Sequence, residues 1–218
     1  MPPATSHLIP TAGAYTVCMT AVETEVKFRI RDLTRLEAQL STAGFQQVTP
    51  RTFEHNVLFD TPDRSLRARQ SILRVRRYGN RWVVTYKALP PNGNPATERH
   101  KHRIETETEV QDGEAIATIF TAIGYKPAFV YQKWRTEYAD STGHCVIDET
   151  PIGLFAELEG PSDWIDRTAD LLGLNHADLM TLSYGRLFDQ WRAETGSVAE
   201  NLTFDEIPSA ESSPSTRT

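Results

Sequence analysis

Cysteine is scarce in this 218-residue chain, which contains only Cys18 and Cys145. Two cysteines without metal-type spacing predict neither a disulfide framework nor a cysteine metal site, and they are typical of a reducing compartment. No apolar run approaches the roughly 20 residues that span a bilayer, and the first residues lack the pattern of a signal peptide. We therefore expect a cytoplasmic protein without a membrane partner.

An excess of positive charge is also missing. The formal net charge is −6 and the sequence pI is near 5.5. Such a balance argues against nucleic acid as a partner, because nucleic-acid binding depends on basic surfaces that neutralise phosphates. Hydrophobic residues make up 39% of the chain, which is enough for one core.

The two ends of the chain are poor in patterned apolar residues. Residues 1–20 are dominated by small and polar residues and are predicted to be a disordered extension, and residues 194–218 are predicted to be a disordered tail. One domain over residues 21–193 remains, within the usual size range. Met19 directly precedes the first strand pattern, so a start at Met19 is an alternative hypothesis.

What the chain does have is alternation of charged and apolar residues. The clearest example is residues 22–30, with one face formed by Val22, Thr24, Val26, Phe28 and Ile30 and the other by Glu23, Glu25, Lys27 and Arg29. A period of two with β-branched residues predicts a strand. Because similar charged faces recur on most later strands, they are expected to lie opposite one another.

The remaining pattern predicts seven further strands with helices between them. The strands are expected over residues 55–60, 71–78, 81–88, 99–110, 129–139, 144–149 and 154–159. The helices are expected over residues 33–44, 65–69, 111–124, 162–172, 177–179 and 183–192, the third of them with Ile116, Ile119, Phe120 and Ile123 as its buried stripe.

Amphipathic helices need an apolar sheet face to cover, so the charged strand faces are expected to point the other way. An antiparallel sheet of about eight strands closes readily into a barrel. We therefore predict an α+β fold, an antiparallel eight-stranded β-barrel with a charged lumen and helices outside. Buried charges on this scale are costly unless a charged ligand fills the space, which favours a polyanion with metal ions.

Several segments together resemble the motifs of one family. Its hallmark Glu-x-Glu-x-Lys is matched by Glu23-Thr24-Glu25-Val26-Lys27. Further matches follow in family order at residues 59–63 (FDTPD), 73–77 (LRVRR), 84–87 (VTYK), 103–105 (RIE), 133–135 (KWR), 146–149 (VIDE) and 155–159 (FAELE). On these residues, over roughly positions 22–190, the chain is identified as a member of the CYTH family, the triphosphate tunnel metalloenzymes.

The resemblance implies a small-molecule triphosphate as ligand and Mg²⁺ or Mn²⁺ as cofactor. The expected phosphate-binding residues are Lys27, Arg74, Arg76, Lys87, Arg103 and Arg135, since guanidinium and ammonium groups suit phosphate. The expected metal ligands are Glu23, Glu25, Glu157 and Glu159, with Asp148 and Glu105 next. Glu23, Glu25 and Lys27 are the expected catalytic residues. Strands one and eight are expected to meet at barrel closure, which would bring the two Glu-x-Glu pairs together.

Three functions fit this family resemblance. The first is a metal-dependent triphosphate hydrolase, acting on inorganic tripolyphosphate, thiamine triphosphate or another triphosphate. The second is a class IV adenylyl cyclase, although the His-Phe element of the best-known cyclases is missing before Glu23. The third is a non-catalytic polyphosphate-binding module, which would not need both Glu pairs and Asp148. Several triphosphatases of the family carry a lysine in the C-terminal helix, where this chain has Arg186. The protein is expected to be a monomer or a homodimer.

Overall fold

The computed structural model describes residues 19–91 and 99–208, and these form a closed barrel of eight antiparallel strands. The strands are β1 (Met19–Arg29), β2 (Gln46–Asp60), β3 (Ile72–Tyr78), β4 (Arg81–Ala88), β5 (Lys101–Val110), β6 (Lys126–Ala139), β7 (His144–Thr150) and β8 (Gly153–Glu159). Their order around the barrel is β1-β5-β4-β3-β2-β6-β7-β8. The predicted fold class is confirmed.

Helices cover the apolar faces of this barrel. They are α1 (Leu33–Thr42), α2 (Ser65–Ala68), α3 (Gly113–Ala122), α4 (Ser162–Leu171) and α5 (Tyr184–Thr195), with a 3-10 turn at His176–Asp178. Val26 and Phe28 of β1 pack with Leu40 of α1 and Ile165 of α4 in the main core. The apolar side of β1 therefore faces outward under helices, and its charged side faces the lumen. Within the described part of the chain, no helix has the length and apolarity needed to cross a membrane.

Strand β1 closes the barrel because it pairs with two neighbours. Its first half pairs with β5 and its second half with β8. Glu25 lies at the changeover, opposite Lys101 on one side and Glu159 on the other. Lys27 lies opposite Glu157. The expected meeting of the first and eighth strands is thus present, and it sets acids of β8 against the charged row of β1.

Helix α5 packs across one end of the barrel rather than along its wall. Tyr184 and Phe188 of this helix join Tyr131 and Phe155 in a second apolar cluster. Tyr131 and Phe155 share the strand faces that carry Lys133 and Glu157 further along, so the lumen side becomes aromatic near α5. Packed rings therefore line the charged cavity where it meets α5.

Strands β2 and β6 are longer than predicted. β2 covers Gln46–Asp60, whereas the sequence indicated only residues 55–60, and β6 begins at Lys126 rather than residue 129. Pro50 obscured the first half of β2, because proline donates no ladder hydrogen bond. The structure accommodates it within a shift of the β2–β6 register that lies between Thr49 and Thr52.

The predicted domain boundaries also need correction. β1 already begins at Met19, while residues 1–18 lie outside the described part of the chain, as do residues 209–218 and most of the Pro-rich loop at residues 89–95. At the other end α5 continues to Thr195, and Gly196 ends it with a φ of 69°. Leu202 then exchanges backbone hydrogen bonds with Val130 and Gln132, at 3.0 and 2.9 Å. Residues 194–208 are thus packed structure, not the predicted tail.

Helix α3 contacts the barrel through a face that differs from the predicted stripe. Ile119 and Ile123 are 52% and 65% exposed, so the prediction that they are buried is wrong. The contact runs instead through Gly113, where an added Cβ would lie 2.2 Å from the Trp82 ring, and through Phe120, whose ring lies 5.4 Å from that of Phe59. This close approach at Gly113 fixes the rotation of the helix.

Candidate functional site in the barrel lumen

The lumen contains a cavity of about 880 Å³ that brings together most of the predicted site residues. The members that line it are Glu23, Glu25, Lys27, Arg74, Arg76, Lys87, Arg103, Glu105, Arg135, Glu157 and Glu159. Asp148 is the exception among the predicted residues. It is fully buried behind this surface.

Asp148 is held by a dense set of donors from two elements, β6 and α5. Lys133 Nζ lies 2.8 Å from Asp148 Oδ2, and Arg135 reaches both carboxylate oxygens at 2.7 Å. Tyr184 of α5 adds its hydroxyl at 2.5 Å. A carboxylate with this many donors is already neutralised, so its geometry suits the positioning of Lys133 and Arg135 better than the predicted metal ligation.

Glu157 continues this network toward β1. Arg135 Nη2 donates to Glu157 Oε2 at 2.8 Å, and Lys27 Nζ donates to Glu157 Oε1. Burial by itself raises the pKa of Glu157, but Lys27 and Arg135 outweigh it and hold the pKa well below its ordinary value. Glu157 is therefore an anion that anchors two of the predicted phosphate-binding cations.

Sequence reasoning missed Glu54, which lies at the centre of the cationic side of the lumen. Its carboxylate is fully buried, 3.5 Å from Arg76 and 3.6 Å from both Lys133 and Arg135. The miss follows from the short β2, which was predicted to begin one residue later. The signal was present, because Thr52, Glu54 and Asn56 continue a period of two.

Lys101 was also missed as a lumen cation. It pairs with Glu25. Burial raises the pKa of Glu25, but the positive charges of Lys101 and Lys27 outweigh burial and lower this pKa to about 2. Two-residue spacing from Arg103 on β5 would have identified it. Next to this pair, Lys87 contacts Glu23, and it lies 3.1 Å from Glu105.

Arg74 and Arg76 are the predicted phosphate ligands with unused donors. Arg74 donates to the Tyr131 hydroxyl at 3.1 Å and to Thr85 Oγ1 at 3.0 Å, while Arg76 donates to Glu107 at 3.2 Å. The Nε atoms of both arginines are buried and have no hydrogen-bond partner among the described residues. Buried donors of this kind are costly unless an acceptor arrives, and phosphate oxygens are suitable acceptors.

Glu159, in contrast, is a carboxylate whose pKa is raised. Burial, together with the negative charges of Glu23 and Glu25, raises its pKa to about 7. It forms no ion pair with any described residue. A divalent cation beside Glu159, Glu23 and Glu25 would relieve this repulsion, and carboxylate oxygens are the donors that Mg²⁺ and Mn²⁺ prefer.

The predicted metal ligands are not gathered around one point, however. Over residues 19–91 and 99–208, no three His, Cys, Asp or Glu side chains converge as a ready metal site. Glu23 and Glu25 are instead paired with lysines. A cation would therefore have to exchange with Lys87 and Lys101, which are themselves suited to take up phosphate.

A closed barrel whose lumen carries buried acids and bases from every side defines a tunnel-type protein. Comparison with known proteins specifies the family: the CYTH domain model matches residues 21–172. A Methanocaldococcus jannaschii protein provisionally named adenylate cyclase is 31% identical over 139 residues, which are 63% of this chain and 76% of that protein. Adenylate cyclase CyaB of Aeromonas hydrophila is 26% identical over 77% of this chain and 89% of its own length.

Solved structures show the same fold. The Hippeastrum protein HpAC1 superposes with a TM-score of 0.56 at 15% identity, over 79% of this chain and 96% of that one. The chain belongs to the CYTH family. Members of this family bind triphosphates and are generally metal-dependent enzymes.

Proposed function

We propose that this protein is a metal-dependent triphosphate hydrolase, with inorganic tripolyphosphate or another triphosphate compound as its substrate. The observation that carries the proposal is the near balance of charge on the strands that line the cavity. The bases are Lys27, Arg74, Arg76, Lys87, Lys101, Arg103, Lys133 and Arg135, and the acids are Glu23, Glu25, Asp60, Glu105, Glu107, Glu137, Glu157 and Glu159. A bare triphosphate, with about four to five negative charges, would leave these acids unpaired. A metal–triphosphate complex supplies both signs of charge.

Each group of residues has a separate task in this proposal. The cations bind and orient the phosphate chain, with Arg74 and Arg76 presenting their unused Nε–H groups. They also stabilise the charge that develops on the transferred phosphoryl group and the leaving group. Glu23, Glu25 and Glu159 would hold the metal. When bound, Mg²⁺ or Mn²⁺ supplies electrostatic stabilisation of phosphate oxygens and helps to position the water for in-line attack.

The first test is a product assay with purified protein and Mg²⁺ or Mn²⁺. Tripolyphosphate, thiamine triphosphate and ATP are incubated separately, and phosphate, pyrophosphate and cyclic AMP are measured. We expect phosphate release from at least one substrate. Glu25→Gln should lower the rate by about a hundred-fold or more, because it removes a charge from the metal and phosphate site. Glu109→Gln is the matched control, since Glu109 lies on the same barrel but is exposed and pairs with Arg81 outside the cavity.

The alternatives give different products. The names of the two relatives favour the cyclase, which would release cyclic AMP and pyrophosphate from ATP and so overturn the hydrolase proposal. HpAC1, a protein of the same fold, is described as having a dominant triphosphatase activity, which supports the hydrolase proposal. Tight binding of tripolyphosphate without turnover would leave the polyphosphate-binding module.

A further inference from the structure

The cavity does not end at the strands. Beyond the lumen it continues into a groove between α2 and α5, and we name this the α2–α5 groove. Its charged lining is Arg64, Arg67, Arg186, Asp189, Arg192 and Glu200. The two walls are tied together by an ion pair between Arg67 and Asp189 at 2.9 Å. Because one cavity includes both the lumen and the groove, a ligand in the lumen would have a continuous route into the groove.

The α2–α5 groove differs from the lumen in its charge. Four arginines face two acids there, whereas bases and acids nearly balance in the lumen. Arg64 donates to the backbone oxygen of Ala128 at 2.9 Å, which anchors the side chain without neutralising it. The Arg186 guanidinium forms no hydrogen bond or ion pair with a described residue. Arg64 and Arg186 thus present positive charge that no carboxylate of the described chain compensates.

The aromatic rings of this region stack on one another. Phe129 stacks on Phe188 with centroids 5.6 Å apart, and Phe188 stacks on Trp191 at 6.0 Å. Phe188 is only 2% exposed. Recognition in the groove therefore rests on guanidinium charge rather than on stacking, which favours a phosphate chain over a nucleobase.

We propose that the α2–α5 groove is a second anion-binding subsite, which holds the additional phosphates of a linear polyphosphate longer than three units. One end of the chain lies among the lumen cations, and the following phosphates meet Arg64 and Arg186 outside the barrel. This inference rests on the proposed function of the lumen, and it extends the substrate class from triphosphates to longer inorganic chains.

The experiment measures binding of three ligands to the full chain by calorimetry: tripolyphosphate, a longer linear polyphosphate and ATP. Ca²⁺ replaces Mg²⁺, and phosphate release is monitored to verify that no turnover occurs during the titration. We expect the longer polyphosphate to bind about ten-fold more tightly than tripolyphosphate, since charge-assisted arginine–phosphate contacts are among the stronger hydrogen bonds. The gain should shrink as salt concentration rises.

The test variant is Arg64→Asn combined with Arg186→Gln. Asn is chosen because Arg64 has a φ of 59°, a conformation that Asn tolerates better than most residues. In this variant the affinity ratio of longer polyphosphate to tripolyphosphate should fall to near one. Arg35→Ala, an exposed arginine on α1 away from the cavity, should keep the wild-type ratio.

Three results would overturn the inference, and they are distinguishable. If tripolyphosphate binds but the longer chain binds no more tightly, the groove is not a subsite, and the lumen proposal stands. If neither phosphate binds, both proposals fail. A gain for ATP over tripolyphosphate that disappears in the double variant would assign the groove to an organic group instead.

Discussion

Glu54 shows how single residues keep charge inside this barrel. It is fully buried, which raises the pKa of a carboxyl group, but the nearby charges of Lys133 and Arg135 outweigh burial and lower its pKa far below the ordinary value of 4.5. The folded protein therefore holds Glu54 as an anion at pH values where the unfolded chain binds a proton. The stability that this carboxylate contributes is present above about pH 4.5 and lost as pH falls further.

Glu54→Gln tests this account at the scale of one residue. Near pH 7 we expect the variant to be about 3 kcal/mol less stable than the wild type, because the three surrounding cations lose a buried anion. The difference should shrink as pH is lowered below 4.5, since the wild-type carboxylate then loses its advantage. Thermal unfolding of both proteins across this pH range is the measurement. An equally large difference at all pH values would contradict the assignment.

Tyr184 links helix α5 to charged residues of the lumen. Its hydroxyl donates to Asp148, and its ring lies 4.4 Å from the Lys27 ammonium and 4.8 Å from that of Lys133. One side chain of α5 thus touches three charged residues from three strands. The position of α5 and the order of the lumen are therefore coupled through cation–π contacts and one charge-assisted hydrogen bond.

At the scale of elements, the segment after α5, residues 197–208, holds that helix in place. Leu202 is fully buried in the same apolar cluster as Tyr184, Leu187 and Phe188, and its backbone is hydrogen-bonded to β6. Because the segment contacts both α5 and the barrel, it holds the helix against the lumen end. Its stability contribution comes from apolar burial, not from regular secondary structure.

Leu202→Ala is therefore expected to lower the free energy of unfolding by about 2–5 kcal/mol, the usual cost of a cavity at a buried leucine. Val198→Ala is the matched control, because Val198 belongs to the same segment and is 89% exposed. It should change stability by less than about 0.5 kcal/mol. Urea unfolding measures both. A Leu202→Ala protein as stable as the control would show that the segment does not pack against α5 in solution.

At the scale of the whole molecule, the lumen contains a network of ion pairs. Lys87 and Lys101 neutralise Glu23 and Glu25, while Arg135 and Lys27 share Glu157. Removing one partner from such a network leaves a buried charge uncompensated, which costs several kcal/mol. Cation and anion are therefore expected to bind together.

Metal removal tests this expectation. With Ca²⁺ in place of Mg²⁺, and with phosphate release monitored to verify that no turnover occurs, we expect tripolyphosphate to bind at least about a hundred-fold more tightly than in EDTA at the same ionic strength, because unscreened carboxylates repel phosphate in a lumen of low dielectric. Calorimetric titration under both conditions is the measurement. Equal affinities would mean that the lysines and arginines bind phosphate without displacing their carboxylate partners. The expectation that cation and anion bind together would then be wrong.

The amino-acid sequence by itself determined the barrel wall and the composition of its lumen. A period of two depends only on neighbouring residues, so residues 22–30 showed which side chains of β1 face the lumen, and the same rule held for Arg74 and Arg76. The rule failed where local signals conflicted. Pro50 hid the start of β2, and with it Glu54.

Only the tertiary structure decided which charges pair and what bounds the cavity. The pairing of Glu25 with Lys101 depends on the register between β1 and β5, which are more than seventy residues apart in the chain. The burial of Leu202 and the insertion of Tyr184 depend on packing against distant strands, for which the chain carries no local period. Periodicity is a property of neighbours along the chain, whereas ion pairs and cavities are properties of neighbours in space.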